Sequence, residues 1–449
     1  MRHKNTHLAT VLGPVGCSKT RRIILPQIIK AIETGQSFLL CDPKENAWEY
    51  LGRALRSQSY NIISLNLRDP SHSMSWNPLL LPYRLFVAGE KQAAYSLLSD
   101  MAQNVYEAMG EKQNDFWASS ACSFFVAMVS SLFDKVNVDK INLKSIYSMA
   151  ILGEERYSTS NYLKEYFKLE PINSYPFVLA HTVINAPNET RGGIMTTFKN
   201  SLQRMTANDK FEQILCFNDF DLEDCLKEKT AILINYEDEN PSNAQIATIF
   251  IDMLLKTLIG RRTKEKNTKV FHFFLDDFLS LPKLYSFDDI MLAAPSRNIA
   301  LTMVLNSRHL FEKRYSKETF GCLISNSDTI VYFRDNDTEF REYLEKLHSQ
   351  KHRMLPMDDE VPIILSDSPD FNLGLDSLLN RTNVSGWKYI NRHANEEVKI
   401  FSIKDYVIEQ KRKSIIETHS EPTSPELSKL MADIDRKIQE LDAIESDKN

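Results

Sequence analysis

Apolar positions along the chain follow one pattern near its start and a different one through its middle. Residues 7–12 form a short apolar run that stops at Gly13; a glycine-bearing loop follows, and Ile23, Ile24, Ile28, Ile29 and Ile32 then recur at helical spacing before Gly35. This predicts strand, loop, helix. Residues 38–41 read as a buried strand. After them, Asp42-Pro43-Lys44-Glu45 carries a helix-start signature, with Asp as cap, Pro at the first helical position and Glu closing a capping box, so a second helix is expected from Pro43. With a third strand over residues 61–65, strands and helices alternate as in a parallel α/β sheet.

Between about Tyr83 and Leu215 that alternation stops, and amphipathic patterns such as residues 93–108 and 116–133 take over. This predicts an inserted all-α domain. The α/β pattern resumes with strands at 230–235, 270–275, 300–305 and 329–333 and a helix from about Asn243 to Ile259, so one sheet is expected from both flanks of the insertion. The expected domains are residues 1–82 and 216–400 for the two parts of the nucleotide-binding unit, 83–215 for the all-α insertion, and 401–449 for a polar linker with a C-terminal amphipathic helix. The linker reading rests on the polar, proline-containing residues 417–425, and the helix on a stripe of Leu427, Leu430, Met431, Ile434, Ile438 and Leu441.

Composition sharpens this only slightly. At 449 residues, with 43% hydrophobic and 25% charged positions and 13 glycines, the chain suits two or three ordinary globular units and excludes collagenous or largely disordered classes. A net charge of −6 neither announces nor excludes a nucleic-acid partner. The six cysteines show no C-x-x-C spacing and read as reduced thiols of a cytoplasmic protein. No stretch approaches the roughly 20 apolar residues that span a bilayer, so no membrane anchor is expected within the chain.

The chemistry concentrates in a few places. A phosphate loop needs glycines so that backbone N–H groups can approach phosphate oxygens, a Lys for the β and γ phosphates and a Ser or Thr hydroxyl for Mg²⁺. Gly13-Pro14-Val15-Gly16-Cys17-Ser18-Lys19-Thr20 supplies these between the first strand and its helix. Gly13, Lys19 and Thr20 fill three of the four fixed places, and Ser18 stands where a glycine normally precedes the lysine. Far downstream, Val270-Phe271-His272-Phe273-Phe274-Leu275-Asp276-Asp277 is an apolar strand ending in two acids, the arrangement that holds Mg²⁺ and orients the attacking water in P-loop ATPases. Asp276 is the metal-side acid and Asp277 the candidate base; a strand end capped by solvated aspartates is the bland alternative.

Asn306 ends the strand over residues 300–305, where its amide would sense a γ-phosphate or cap the next helix. Arg297, in the loop before that strand, reads as an arginine finger toward a neighbouring subunit or as a solvated surface residue. The basic stretch 261–269 reads as a solvated loop ahead of a phosphate-backbone grip, and Phe116 and Trp117 as core residues ahead of a base-stacking platform. No H-E-x-x-H or G-x-S-x-G motif supports a metal or serine hydrolase.

Taken in order, these segments resemble the type IV coupling protein family, the TraG-like and TraD-like ATPases of conjugation and type IV secretion. The loop Gly13 to Thr20 resembles its Walker A, and Leu40-Cys41-Asp42-Pro43-Lys44-Glu45 its D-P-K-G/E segment. Trp76-Asn77-Pro78 resembles the step before its helical insertion, and Asp115-Phe116-Trp117 an aromatic motif inside it. Glu189-Thr190-Arg191-Gly192, the acidic strand end, Ser296-Arg297 and Ser325-Asn326-Ser327-Asp328-Thr329 follow in the family's order. The similarity spans roughly Ala9 to Tyr332. It implies a RecA-like P-loop NTPase domain of α/β class, with a mostly parallel sheet, interrupted by an all-α domain.

The same resemblance implies MgATP as ligand and DNA, expected single-stranded, as cargo. Relaxase, relaxosome or effector proteins, secretion-channel components and a homo-hexameric ring are the implied partners, and the membrane would be reached only through a partner at its inner face. Four features depart from the family: Ser18 for Gly, Asp277 for Glu, Asn306 for Gln, and the lack of an N-terminal transmembrane anchor. Two readings stand on this, a DNA-transfer ATPase or a hydrolysis-impaired adaptor that docks secretion or relaxosome partners. A different RecA-like DNA motor is disfavoured by the helical insertion and the D-P-K-E segment.

Overall fold

The computed structural model describes residues 8–43, 47–107, 115–206, 209–237, 239, 241–264, 269–333, 337–348, 363–366, 389–418 and 432. Its strands are β1 (Leu8–Leu12), β2 (Ser37–Cys41), β3 (Asn61–Asn66), β4 (Arg156–Tyr157), β5 (Ser160–Asn161), β6 (Thr230–Asn235), β7 (Phe271–Leu275), β8 (Ile299–Leu305), β9 (Thr329–Tyr332) and β10 (Ile363–Ser366). β4 and β5 form a separate small hairpin. The other eight make one sheet in the order β10-β9-β1-β8-β7-β2-β6-β3, parallel throughout except for the edge strand β10. Sheet strands from before and after the helical block are thus interleaved, β6 lying between β2 and β3.

These strands read as apolar runs because the sheet is covered on both faces. Alternate residues divide between two cores. Val11, Phe38, Leu40, Ala231, Leu233, Phe274 and Val304 pack under α1 (Leu25–Glu33) and α2 (Ala47–Ser57), while Leu12, Leu39, Cys41, Ile232, Ile234, Phe273, Leu275 and Leu305 face the opposite way. Of the helix expected from Pro43, the described residues hold Ala47–Ser57. Lys44 and Glu45 lie outside the described residues, and the Asp42 amide instead continues the ladder by donating to Ile234 O at 2.9 Å.

Between β3 and β6 the chain builds α3 (Leu80–Val87), α4 (Lys91–Glu107), α5 (Asp115–Leu132), α6 (Leu143–Leu152), α7 (Tyr162–Lys168), α8 (Tyr175–Ile184), α9 (Asn188–Thr206) and α10 (Asp209–Cys216). Its interior is aromatic: Tyr106, Phe124, Phe125 and Phe198 are fully buried, with ring centroids 5.4–6.4 Å apart. This interior is continuous with the second core through α11 (Pro241–Lys264), where Phe250 meets Trp76 edge-on at 4.8 Å. The remaining helices are α12 (Phe287–Ala293), α13 (Arg308–Arg314), α14 (Lys317–Asn326), α15 (Thr338–His348) and α16 (Ile403–Thr418).

The entry and exit of the helical block are stitched together. The Trp76 amide donates to Ile214 O at 2.6 Å, the Asp219 amide to Ser75 O at 2.9 Å, and Ser75 N to Asp219 Oδ2 at 2.7 Å. Buried Asn77 donates through Nδ2 to Ile141 O at 2.7 Å, accepts Leu79 N–H at 3.0 Å, and its own amide donates to Asn218 Oδ1 at 3.2 Å. The Trp76-Asn77-Pro78 motif is therefore a structural neck.

Residues 419–425 of the expected linker lie outside the described residues. Ahead of them, Phe401 N–H bonds to Ser145 Oγ at 2.9 Å, and Phe401 and Tyr406 pack on Tyr166, so α16 adds to the helical block. The local sequence is mostly polar, but its few apolar residues find a prebuilt aromatic surface. The apolar stripe at 427–441 lies, Ala432 apart, outside the described residues. Phe116 and Trp117, expected in the core, are 50% and 40% exposed at the start of α5, with Trp117 covering Gly193, where a Cβ would come within 2.9 Å of the ring. Both residues lie in the first turn of α5, where the block's interior has not yet closed.

Asn77→Ala leaves Ile141 O and Leu79 N–H unpartnered inside the neck, a loss of about 1–3 kcal/mol per orphaned group. Urea denaturation of the variant is expected to show a midpoint lowered accordingly; an unchanged midpoint would mean that the neck does not depend on this amide.

Candidate nucleotide site

The loop Gly13 to Thr20 leaves the end of β1, which sits between β9 and β8. The Gly13 amide donates to Leu305 O at 3.1 Å, and a Cβ at Gly13 would stand 2.5 Å from the Cβ of Phe333, so only glycine fits. Val15 is exposed at the tip, and Gly16 has φ +89. Ser18 has φ +61, the left-handed conformation that a glycine would adopt without cost at that place.

The remaining contacts hold the loop closed on itself. Cys17 Sγ donates to Pro14 O at 3.1 Å, and the Lys19 ammonium donates to Gly13 O and Pro14 O, each at 2.7 Å. Burial lowers the pKa of Lys19, while Cys17, Asp276 and Asp277 pull it back up. Thr20 opens a π-helical turn over Thr20–Ile24 that leads into α1, a form concentrated at functional sites.

The acids arrive from β7, two strands away. Thr20 Oγ1 donates to Asp276 Oδ2 at 2.5 Å. The Asp277 amide donates to Asp276 Oδ1 at 3.0 Å, which turns the backbone at Asp277 into the left-handed region at φ +50. Between β1 and β7 lies β8, and Asn306 at its end donates through Nδ2 to Asp277 Oδ1. Lys19, Thr20, Asp276, Asp277 and Asn306 are thus brought to one edge of the sheet by three adjacent strands. Burial, with Asp276 and Asp42 nearby, raises the pKa of the Cys41 thiol on β2 and keeps that thiol unreactive.

Arg297 is not part of this cluster. It lies in the turn before β8, at the other end of that seven-residue strand and so about 20 Å from Asn306. Its guanidinium donates to Ala293 O and Ser296 Oγ, each at 3.0 Å. The basic stretch begins not as a loop but as the last turn of α11, where Arg261 donates to Glu223 O at 3.0 Å; residues 265–268 lie outside the described residues.

Sequence reasoning missed Arg308. Its buried guanidinium pairs with Asp337 Oδ2 at 2.8 Å and Glu339 Oε2 at 2.7 Å, tying the segments after β8 and β9 together across the end of β1. Its partners are 29 and 31 residues away, so no local pattern announces the pair.

Over residues 2–351 the chain matches the family model for type IV secretory system conjugative DNA transfer. The chain belongs to this family. Among solved structures it is similar to the bacterial conjugative coupling protein TrwB: in the unbound form at TM-score 0.56 and 15% identity, over 77% of this chain and 76% of that one. The complex with the ATP analogue ADPNP gives TM-score 0.57 and 14% identity over 90% and 91%. The complex with ADP and Mg²⁺ gives 0.54 and 15% over 74% of each. At these identities the likeness shows the fold, a RecA-like P-loop domain with a helical insertion. No curated protein matches the sequence. Among the described residues, no helix is long and apolar enough to cross a membrane.

Ser18→Gly removes both the side chain and the left-handed strain, about 1 kcal/mol, and is expected to tighten ATP binding a few-fold. Ser18→Val, a β-branched residue at positive φ, is expected to weaken it about tenfold. Calorimetric titration with ADPNP checks both, and equal affinities in all three proteins would show that this position does not limit the loop.

Proposed function

We propose that this protein is a MgATP-hydrolysing motor of conjugative DNA transfer that recruits and moves DNA-protein substrates. One observation carries the reading: the Thr20–Asp276 and Asn306–Asp277 hydrogen bonds bring the phosphate loop, the acidic strand end and the sensor strand to one edge. Lys19, now donating to two loop carbonyls, would exchange them for β- and γ-phosphate oxygens. The Thr20 hydroxyl and Asp276 carboxylate are the oxygen donors a hard cation takes, and Mg²⁺ held there supplies charge neutralisation on the phosphates. Asp277 would orient the attacking water and accept its proton, and Asn306 would hold the Asp277 carboxylate in place.

TrwB is seen with ADPNP and with ADP and Mg²⁺, which supports the same ligands for this chain. The helical block, completed by α16, would engage relaxase or effector proteins, and single-stranded DNA would pass through a six-membered ring. In such a ring Arg297, far from its own subunit's site, would act on the neighbour's phosphates. Assembly with secretion-channel components would bring the protein to the membrane's inner face.

The second reading, a hydrolysis-impaired adaptor, draws on Asp277 and Asn306 each being one methylene shorter than the family's residues. The two side chains nevertheless reach each other, which favours the motor. Purified protein is expected to hydrolyse MgATP faster with single-stranded DNA, and Lys19→Ala to abolish turnover. Nucleotide binding without turnover in any condition would sink the motor and leave the adaptor.

A further inference from the structure

Asn104 sits on α4 of the helical block, and both ends of its buried amide are in use. Oδ1 accepts the backbone N–H of Tyr285 at 3.2 Å, while Nδ2 donates to Asp252 Oδ2 of α11 at 2.9 Å and to Asp100 O one turn back at 3.0 Å. One side chain therefore joins the helical block, α11 and the segment that follows Asp277. Only a group that both donates and accepts can do this.

The surroundings are polar. Lys256 bridges Asp100 at 2.7 Å and Asp252 at 3.3 Å, and the Ser286 hydroxyl faces the Asp252 carboxyl.

The segment from Asp277 to Tyr285 is braced at its start by Asp277 and in its middle by the end of α13. At its start, Asp277 O accepts both the amide of Ser280 at 2.8 Å and its hydroxyl at 2.7 Å. Its middle hangs on α13, which begins two residues after Asn306. Arg314 donates to Leu279 O at 2.7 Å and to Leu281 O, and the Tyr315 hydroxyl accepts Leu284 N–H at 3.0 Å. Leu281 and Leu284 are buried. Asp277 anchors the first brace and α13, two residues after Asn306, supplies the second, and the segment they hold ends at the Tyr285–Asn104 bond.

We infer that Asn104 is a positioning residue that reports the state of the Asp277–Asn306 pair to the helical block, so that nucleotide occupancy alters what that block presents to its partner. The inference rests on the nucleotide-binding reading above. Hydrogen exchange of the full chain, with and without ADPNP and Mg²⁺, tests both separately. In the wild type the nucleotide slows exchange in residues 13–24 and changes that of residues 98–107 about fivefold or more, the lower end of ordinary coupling between sites.

Asn104→Leu keeps the first response and loses the second. Tyr285→Pro, which removes the same bond from an exposed position, does likewise. Asp252→Asn keeps an oxygen for Asn104 Nδ2 and retains both responses. A merely structural Asn104 would speed exchange in α4 equally with and without nucleotide, leaving the difference intact, and that result overturns the inference. So does a wild type in which residues 13–24 respond and α4 does not. Absence of any response at residues 13–24 sinks the nucleotide reading itself, and this inference with it.

Discussion

The hydrogen bond from Thr20 to Asp276 joins residues 256 positions apart, and most of the architecture is what that bond requires. β1 and β7 must end at the same edge, with one strand between them, so they run parallel and each return crossing must pass over a face of the sheet. Burial of both faces follows, and with it the near-continuous apolar strands. β8 is the strand that fills the gap, which is why the residue at its end, half-buried Asn306, reaches the acids of β7.

The same constraint explains how shortened side chains remain in contact. Asp277 and Asn306 each lack a methylene relative to the family pattern, so either change alone would open a gap between them. The left-handed backbone at Asp277, tied back by its amide to Asp276, turns the carboxylate toward β8. Ser18 is different in kind, because it places a non-glycine residue in the left-handed region inside the loop.

The glycine-bearing loop, the acidic strand end and the positions of the parallel strands were legible because each is local: a glycine-bearing turn between an apolar run and a helix, or an apolar run closed by acids. What was not legible depends on partners distant in the chain. Phe116 and Trp117 have core chemistry but sit in the first turn of α5, before the block's interior closes. Residues 401–418 give no local sign of the partner that Tyr166 and Ser145 supply for Phe401 and Tyr406. Arg308 announces nothing until β8 and β9 place Asp337 and Glu339 beside it.

An insertion between two strands of one sheet could swing freely on its two connections, and here it does not. Its entry and exit are hydrogen-bonded to each other at Ser75, Trp76 and Asp219, its core runs on into α11 through Trp76 and Phe250, and the segment 389–418 crosses back from Ser71 to α7. Three separate attachments tie the helical block to the sheet. Such attachment matters because a small rearrangement at the strand ends is then carried to the block as a displacement and is not lost in a hinge.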